Sequence, residues 1–367
     1  HNWTTFLGEQ QPEELDLEKK DQRRTTKRTI KKIALIVATV IVGVPTLFTL
    51  GLLVWDGGFA VSPHQVILPG VQLDLRTVNT ARGPVQYDLY GSQGPVVLSL
   101  HAGLGGADQG RLFASFLQGD GFRILSPSRP GYLGTPLSSG KTLEEQADLF
   151  AALLDTLKIE KVGVLSASAA GPVAYTFVAR HPERVWGLVA IDTVSRPDPG
   201  GTFGGSGLQT AFLNTIGQKL AKLTAQISLQ TVVTQTLDET TKYSSAQKEQ
   251  RAAYIMNTPH MRAFFEALFN TTFPYDKRTA GTNNDAEQSQ GMQSFSFASI
   301  TAPSLIVHGT QDGDVPFADG VYAAEHIPGA QHYWMENGGH LDFWLSPDAA
   351  KAQDAVRTFL RQHTPGT

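Results

Sequence analysis

The chain contains no cysteine. Disulfides, zinc–thiolate sites and cysteine nucleophiles are therefore excluded, and the absence is compatible with an oxidising compartment. Charge is also scarce. Only 17% of the residues are Asp, Glu, Lys or Arg, and the net charge of −4 offers no basic excess for a nucleic-acid partner. No internal repeat is present. What remains is a chain of 367 residues with an ordinary apolar fraction of 41%, long enough to bury one large core or two modest ones.

One stretch lacks charge altogether. Residues 33–55, "IALIVATVIVGVPTLFTLGLLVW", are long and apolar enough for a helix to cross a bilayer. Pro45 and Gly51 are tolerable there, because lipid-embedded helices accept them better than soluble ones do. Eight Lys or Arg side chains crowd residues 19–32, and only Arg76 follows Trp55 before Thr80. This asymmetry predicts a basic cytoplasmic tail over 1–32, a transmembrane helix over 33–55 and a linker over 56–80, with the rest of the chain extracytoplasmic. The alternative is a cleaved signal peptide, for which Gly58-Phe59-Ala60 supplies small residues, and secretion of the remainder.

Beyond residue 80 the pattern is α/β. "VQYDLY" (85–90) and "PVVLSL" (95–100) are short β-rich runs across Gly91 to Gly94, a hairpin signal. "FRILSPS" (122–128), "KVGVLS" (161–166) and "VWGLVAID" (185–192) are further strands. Between them, Thr142 and Glu145 form a capping box for a helix with the face Ala147, Phe150, Leu153, Leu154 and Leu157. The alternation predicts a mostly parallel sheet flanked by helices. It breaks at "SRPDPGGTFGGSG" (195–207) and resumes with "PSLIVHG" (303–309), "HYWMEN" (332–337) and two helices. The interval reads as helices: Leu208, Phe212, Ile216 and Leu220 at a four-residue beat, one starting at Ser244-x-x-Gln247, and "MRAFFEALF" (261–269). A core in two parts, 81–195 and 298–367, thus encloses a helical cap at 196–297.

In open α/β sheets, ligands bind where strands end and helices begin. Three such points carry catalytic residue types: Ser168 in "VLSASAAG", Asp312 in "HGTQDGDVP" and His340 in "ENGGHLDF". A serine hydroxyl becomes a nucleophile when a histidine takes its proton, and a buried carboxylate holds that histidine in the right tautomer. Ser166 competes with Ser168. A nucleophile on a sharp strand-to-helix turn needs small residues two before and two after it. Ser166 and Ala170 flank Ser168, whereas bulky Val164 precedes Ser166. Asp312 is the acid, with Asp314 and Asp192 as alternatives. The Gly-rich "LSLHAGLGG" (98–106) can aim the Gly103 N–H at a developing oxyanion together with that of Ala169, while His101 braces the loop. Leu104, Phe264 and Phe265 are candidate substrate contacts, the two phenylalanines serving equally as ordinary cap core.

From about Val85 to the carboxyl end the chain resembles the α/β-hydrolase superfamily. The residues that carry the resemblance are "HAGLGG", "SRPGYLGT", "SASAAGPVAYTFVARHPERV", "HGTQDGDVP" and "GGH". Ala102 stands where glycine is commoner beside the histidine, and Ser166 and Ala170 stand for the usual elbow glycines. The resemblance implies an eight-stranded core, a helical cap, and Ser–Asp–His catalysis without cofactor or metal. Serine at the nucleophile position separates the chain from the epoxide hydrolases and haloalkane dehalogenases, which use aspartate. The expected function is a membrane-tethered serine hydrolase acting on a small-molecule or lipid-like carboxylic ester. Amidases, aminopeptidases and carbon–carbon bond hydrolases of the same fold are alternatives, as is a catalytically silent binding domain.

Overall fold

Val162–Ala167 is buried at every position, as are Val96–Leu100, Val185–Ile191 and Ser304–Gly309. Strands apolar on both faces belong in the middle of a parallel sheet covered on both sides, and the computed structural model puts them there. It describes residues 62–197, 215–291 and 296–366, with a few helical positions between 23 and 51. The chain divides into two units, His1–Gly57 and Gly58–Thr367, and the second carries the sheet. Among the described residues no helix is long and apolar enough to cross a membrane. The expected span 33–55 lies outside the described residues apart from Leu47 and Gly51.

The strands are β1 (His64–Leu68), β2 (Val71–Asp74), β3 (Arg76–Thr80), β4 (Gly83–Tyr90), β5 (Val96–Leu100), β6 (Arg123–Pro127), β7 (Val162–Ala167), β8 (Val185–Ile191), β9 (Ser304–Gly309) and β10 (Gln331–Met335). The first two form an antiparallel pair of their own. The other eight form one sheet in the order β10-β9-β8-β7-β5-β6-β4-β3. From β5 to β10 the pairing is parallel, and β3 and β4 run antiparallel at one edge. Two expectations need correction. Residues 56–80 are not simply a linker, since three strands occupy His64 to Thr80. The β4–β5 hairpin does not form either. β4 pairs with β3 through a turn at Ala81-Arg82 and with β6 on its other side, leaving Gly91 to Gly94 to lead away from the pair.

The helices are α1 (Ala107–Phe113), α2 (Leu143–Thr156), α3 (Gly171–Arg180), then α4 (Thr215–Ile227), α5 (Leu229–Thr240), α6 (Ser245–Asn257), α7 (Pro259–Asn270) and α8 (Thr279–Gly291), and finally α9 (Phe317–His326), α10 (Asp342–Leu345) and α11 (Ala349–His363). Both capping boxes form, Thr142 with Glu145 and Ser244 with Gln247. The four-residue beat from Leu208 begins outside the described residues, and α4 carries Ile216 and Leu220 with exposed side chains. Helices α4 to α8 fall between β8 and β9, so the cap interrupts the sheet between two strands that are hydrogen-bonded neighbours. Alternation across the sheet divides the core. Val189, Ile191 and Val307 pack with Phe113, Phe359 and the cap residues Phe264 and Phe265, whereas Leu188, Ala190 and Ile306 pack on the other face with Phe150 and Phe177. Each such buried aliphatic or aromatic side chain contributes roughly 1.5–3 kcal/mol.

Candidate active site

Because β5 to β10 run parallel, their carboxyl ends lie along one edge of the sheet. That edge receives Ser168 after β7, Asp192 after β8, Asp312 after β9, His340 after β10, and the loop from His101 to Gly105 after β5.

Ser168 and Ser166 occupy different worlds. Ser166 lies inside β7, paired with Leu100 and Ala190, and its buried hydroxyl finds no partner among the described residues. Ser168 follows the strand, with φ of 53°. A non-glycine residue in that left-handed region costs about 1–3 kcal/mol and persists where the surroundings impose it. Here the Ser168 carbonyl accepts from Val194 N–H at 3.2 Å. A Cβ on Gly171 would lie 2.3 Å from the Val194 carbonyl oxygen. The small residues of "SASAAG" therefore allow the turn to press against the end of β8. Ala169 follows at once and leads into α3, whose amino end directs backbone N–H groups toward this edge.

Asp312 and His340 are in direct contact. His340 Nδ1 donates to Asp312 Oδ2 at 2.8 Å, with Asp312 fully buried. The other carboxylate oxygen accepts the backbone N–H groups of Asp314 and Val315, each at 2.8 Å. On its far side, His308 Nε2 stands 3.4 Å from Asp312 Oδ2 and donates to the Val315 carbonyl at 3.1 Å. Burial alone would raise the Asp312 carboxyl, but the His340 charge and the bonds from both histidines hold it below its ordinary value. The two alternative acids take other positions. Asp192, φ 48°, accepts the Gly309 N–H at 2.8 Å, and burial above all pushes its carboxyl up to about 7. Asp314 reaches the imidazole from the opposite nitrogen, 3.3 Å from Nε2.

The pairing of acid and histidine depends on a cap segment that sequence reasoning did not find. Thr240 to Tyr243, at the end of α5, threads between the two loops. The Thr240 carbonyl accepts from both Gly313 N–H (3.1 Å) and His340 N–H (3.2 Å), and Lys242 N–H donates to the Gln311 carbonyl at 2.9 Å. Thr241 bridges to Asp312 as a one-residue β-pair. The Tyr243 hydroxyl accepts from Gly339 N–H at 3.0 Å and makes a short bond to Asp342. At Gly309 a Cβ would lie 2.4 Å from the Gly338 carbonyl oxygen, so glycine lets the loops after β9 and β10 close together.

The loop after β5 is braced by His101. His101 Nδ1 donates to the Ala102 carbonyl at 2.7 Å, leaving Nε2 to accept the Arg129 N–H at 3.0 Å. Burial, and then the Arg129 charge, hold this imidazole far below its usual pKa, so it stays neutral. Gly103 and Leu104 sit on the same turn, half-buried, Leu104 at φ 62°. Arg129 donates to the His101 carbonyl and grips Asp285 of α8 with both terminal nitrogens at 2.6 Å, while Tyr132 donates to the same carboxylate at 2.5 Å. A second fully buried pair, Arg278 with Asp108, joins the cap to α1 at 2.7 Å. Phe264 and Phe265 lie elsewhere, buried in the hydrophobic cluster. Phe264 stacks on Trp344 and lines a cavity of about 420 Å³ whose wall includes none of Ser168, Asp312 or His340.

Residues 95–347 match the family model for the alpha/beta hydrolase fold. The chain belongs to the α/β-hydrolase family. A solved α/β-hydrolase fold protein from Nakamurella multipartita is 36% identical, with a TM-score of 0.72 over 78% of this chain and 99% of that one. An uncharacterised hydrolase of Bacillus subtilis, YcgS, is 27% identical over 78% of this chain and 98% of its own length. The 2-hydroxy-6-oxononadienedioate/2-hydroxy-6-oxononatrienedioate hydrolase of Comamonas testosteroni is also 27% identical, over 70% of this chain and 85% of that one.

Proposed function

We propose that this α/β-hydrolase is a serine hydrolase that cleaves carboxylic esters through an acyl-enzyme. The observation that carries the reading is the Asp312–His340 hydrogen bond at the sheet edge that also bears Ser168 at positive φ. Ser168 Oγ attacks the ester carbonyl while His340 Nε2 takes its proton. Asp312, bonded to Nδ1, keeps the tautomer and stabilises the imidazolium. The oxyanion is received by the N–H groups of Gly103 and Ala169. His340 then returns its proton to the leaving alkoxide, and water repeats the sequence on the acyl-serine. Leu104, next to Gly103 on the same half-buried turn, is the proposed acyl contact. A fluorophosphonate probe should label the wild-type chain and spare Ser168→Ala. Hydrolysis of p-nitrophenyl esters of graded chain length then measures the acyl pocket. Labelling that persists in Ser168→Ala would discard the assignment.

A second reading, carbon–carbon bond hydrolysis, draws on the Comamonas relative, whose named substrates are dioates carrying two carboxylates. The same assay separates the two readings when such a vinylogous diketone acid is supplied beside the esters. The proposal also keeps the tether: the charge-free run 33–55, preceded by its basic cluster, would anchor the chain in a membrane with the hydrolase domain outside.

A further inference from the structure

Asp314 follows Asp312 by two residues, yet the two carboxylates meet opposite nitrogens of one imidazole. Asp312 holds Nδ1 at 2.8 Å, and Asp314 Oδ2 lies 3.3 Å from Nε2, the nitrogen that takes the serine proton in the reaction above. Asp314 is anchored by its own N–H, which donates to Asp312 Oδ1. Its side chain remains 34% exposed while that of Asp312 is fully buried, so Asp314 is the carboxylate on the solvent side of the histidine.

Among the described residues His340 is the one ion-pair partner of Asp314. The cap presents Glu239 from α5, whose carboxyl is raised by its burial and then by the charges of Asp314 and Asp238. Asp238 itself is paired with Lys248 at 2.7 Å. Behind the ring, His308 and Asp192 gather around Asp312. The open side of Nε2 is thus acidic.

We propose that Asp314 is a specificity-determining residue: standing at the entry to His340 Nε2, it favours substrates that are neutral or cationic beside the scissile bond and rejects those with a carboxylate there. This inference rests on the serine-hydrolase reading. A substrate must occupy the space in front of Nε2. An acyl group bearing a carboxylate then meets Asp314 a few ångströms away in a half-buried site, where like-charge repulsion is worth about tenfold or more in kcat/KM.

The same contact leaves a signature in pH. Burial opposes charge on His340, but Asp312 and Asp314 outweigh it and push the imidazole up to about 10. The proton-accepting form is the neutral one, so activity rises as pH climbs through that value. Neutralising Asp314 removes a charge that favours the imidazolium, so the rising limb moves to lower pH.

The test compares p-nitrophenyl butyrate with the mono-p-nitrophenyl ester of succinic acid, which share a leaving group and a four-carbon acyl chain. It uses the full chain as wild type, Asp314→Asn and Asp314→Lys. Wild type should prefer the neutral ester by about tenfold, Asp314→Asn should bring the ratio close to one, and Asp314→Lys should reverse it. The acid limb of Asp314→Asn should move down by about one pH unit. In wild type alone, added salt should narrow the preference, a readout that needs no variant to fold. An unchanged ester ratio and an unmoved limb in variants still labelled by fluorophosphonate at Ser168 would overturn the role of Asp314 alone. Failure of wild type itself to be labelled would instead remove the serine-hydrolase reading, and this inference with it.

Discussion

At the scale of single residues, the contrast between the two serines gives the first test. Ser168→Ala should abolish ester hydrolysis while leaving the thermal transition in place, whereas Ser166→Ala, which deletes a hydroxyl with no partner among the described residues, should keep substantial activity. The reverse pattern would move the elbow. A second test concerns the acid. Asp312→Asn should lower kcat by about 10⁴, because the imidazole loses the group that fixes its tautomer. Asp192→Asn, whose carboxylate serves the Gly309 N–H rather than His340, should cost far less in single-turnover rates. Ser168, Asp312 and His340 are legible as residue types at strand ends, and the small neighbours of Ser168 are legible too, the structure placing Ser168 at the turn and Ser166 within β7. Asp314 could be recognised only as a rival for the acid. Which nitrogen it faces depends on the turn that Asp312 Oδ1 closes over Asp314 and Val315, and no spacing rule encodes that.

At the scale of elements, the parallel strands and the capped helices are visible in the sequence because their signals are local. A run such as Val96–Leu100 is apolar throughout, and a capping box spans four residues. Strands β1 to β3 escape the same scrutiny. They are four or five residues long and expose several of their side chains, so they resemble a linker. The ties between cap and core are invisible for another reason. Arg129 and Asp285 lie 156 residues apart, and Arg278 and Asp108 lie 170 apart, so nothing local announces either pair. Their burial makes them testable. Arg129→Met strands Asp285 without its cation and should cost about 3–5 kcal/mol in urea unfolding, whereas the double variant Arg129→Met/Asp285→Leu should recover much of that loss. Equal destabilisation in the single and double variants would show that the pair is not coupled.

At the scale of the whole molecule, the proposed tether makes a prediction about sidedness. Protease added to intact cells or spheroplasts should digest the hydrolase domain and leave a short membrane-protected fragment containing residues 33–55. Protection until the membrane is lysed would mean an inward-facing domain, and activity released into the medium would support cleavage near Ala60. The apolar run is conspicuous in the sequence because its length alone carries the signal.

The insertion of the cap between adjacent strands has a consequence for synthesis. β8 and β9 are neighbours in the sheet, yet the described cap helices α4 to α8 are all made between them. On the ribosome Ser168, the proposed nucleophile, is made early and waits through the whole cap before β9, Asp312, β10 and His340 emerge to complete the proposed site. Pairing across so long a loop is entropically slow. A half-made chain therefore presents an unfinished sheet edge at β8, exposed to aggregation, and on the proposed mechanism its serine stays without a base until the last strands arrive.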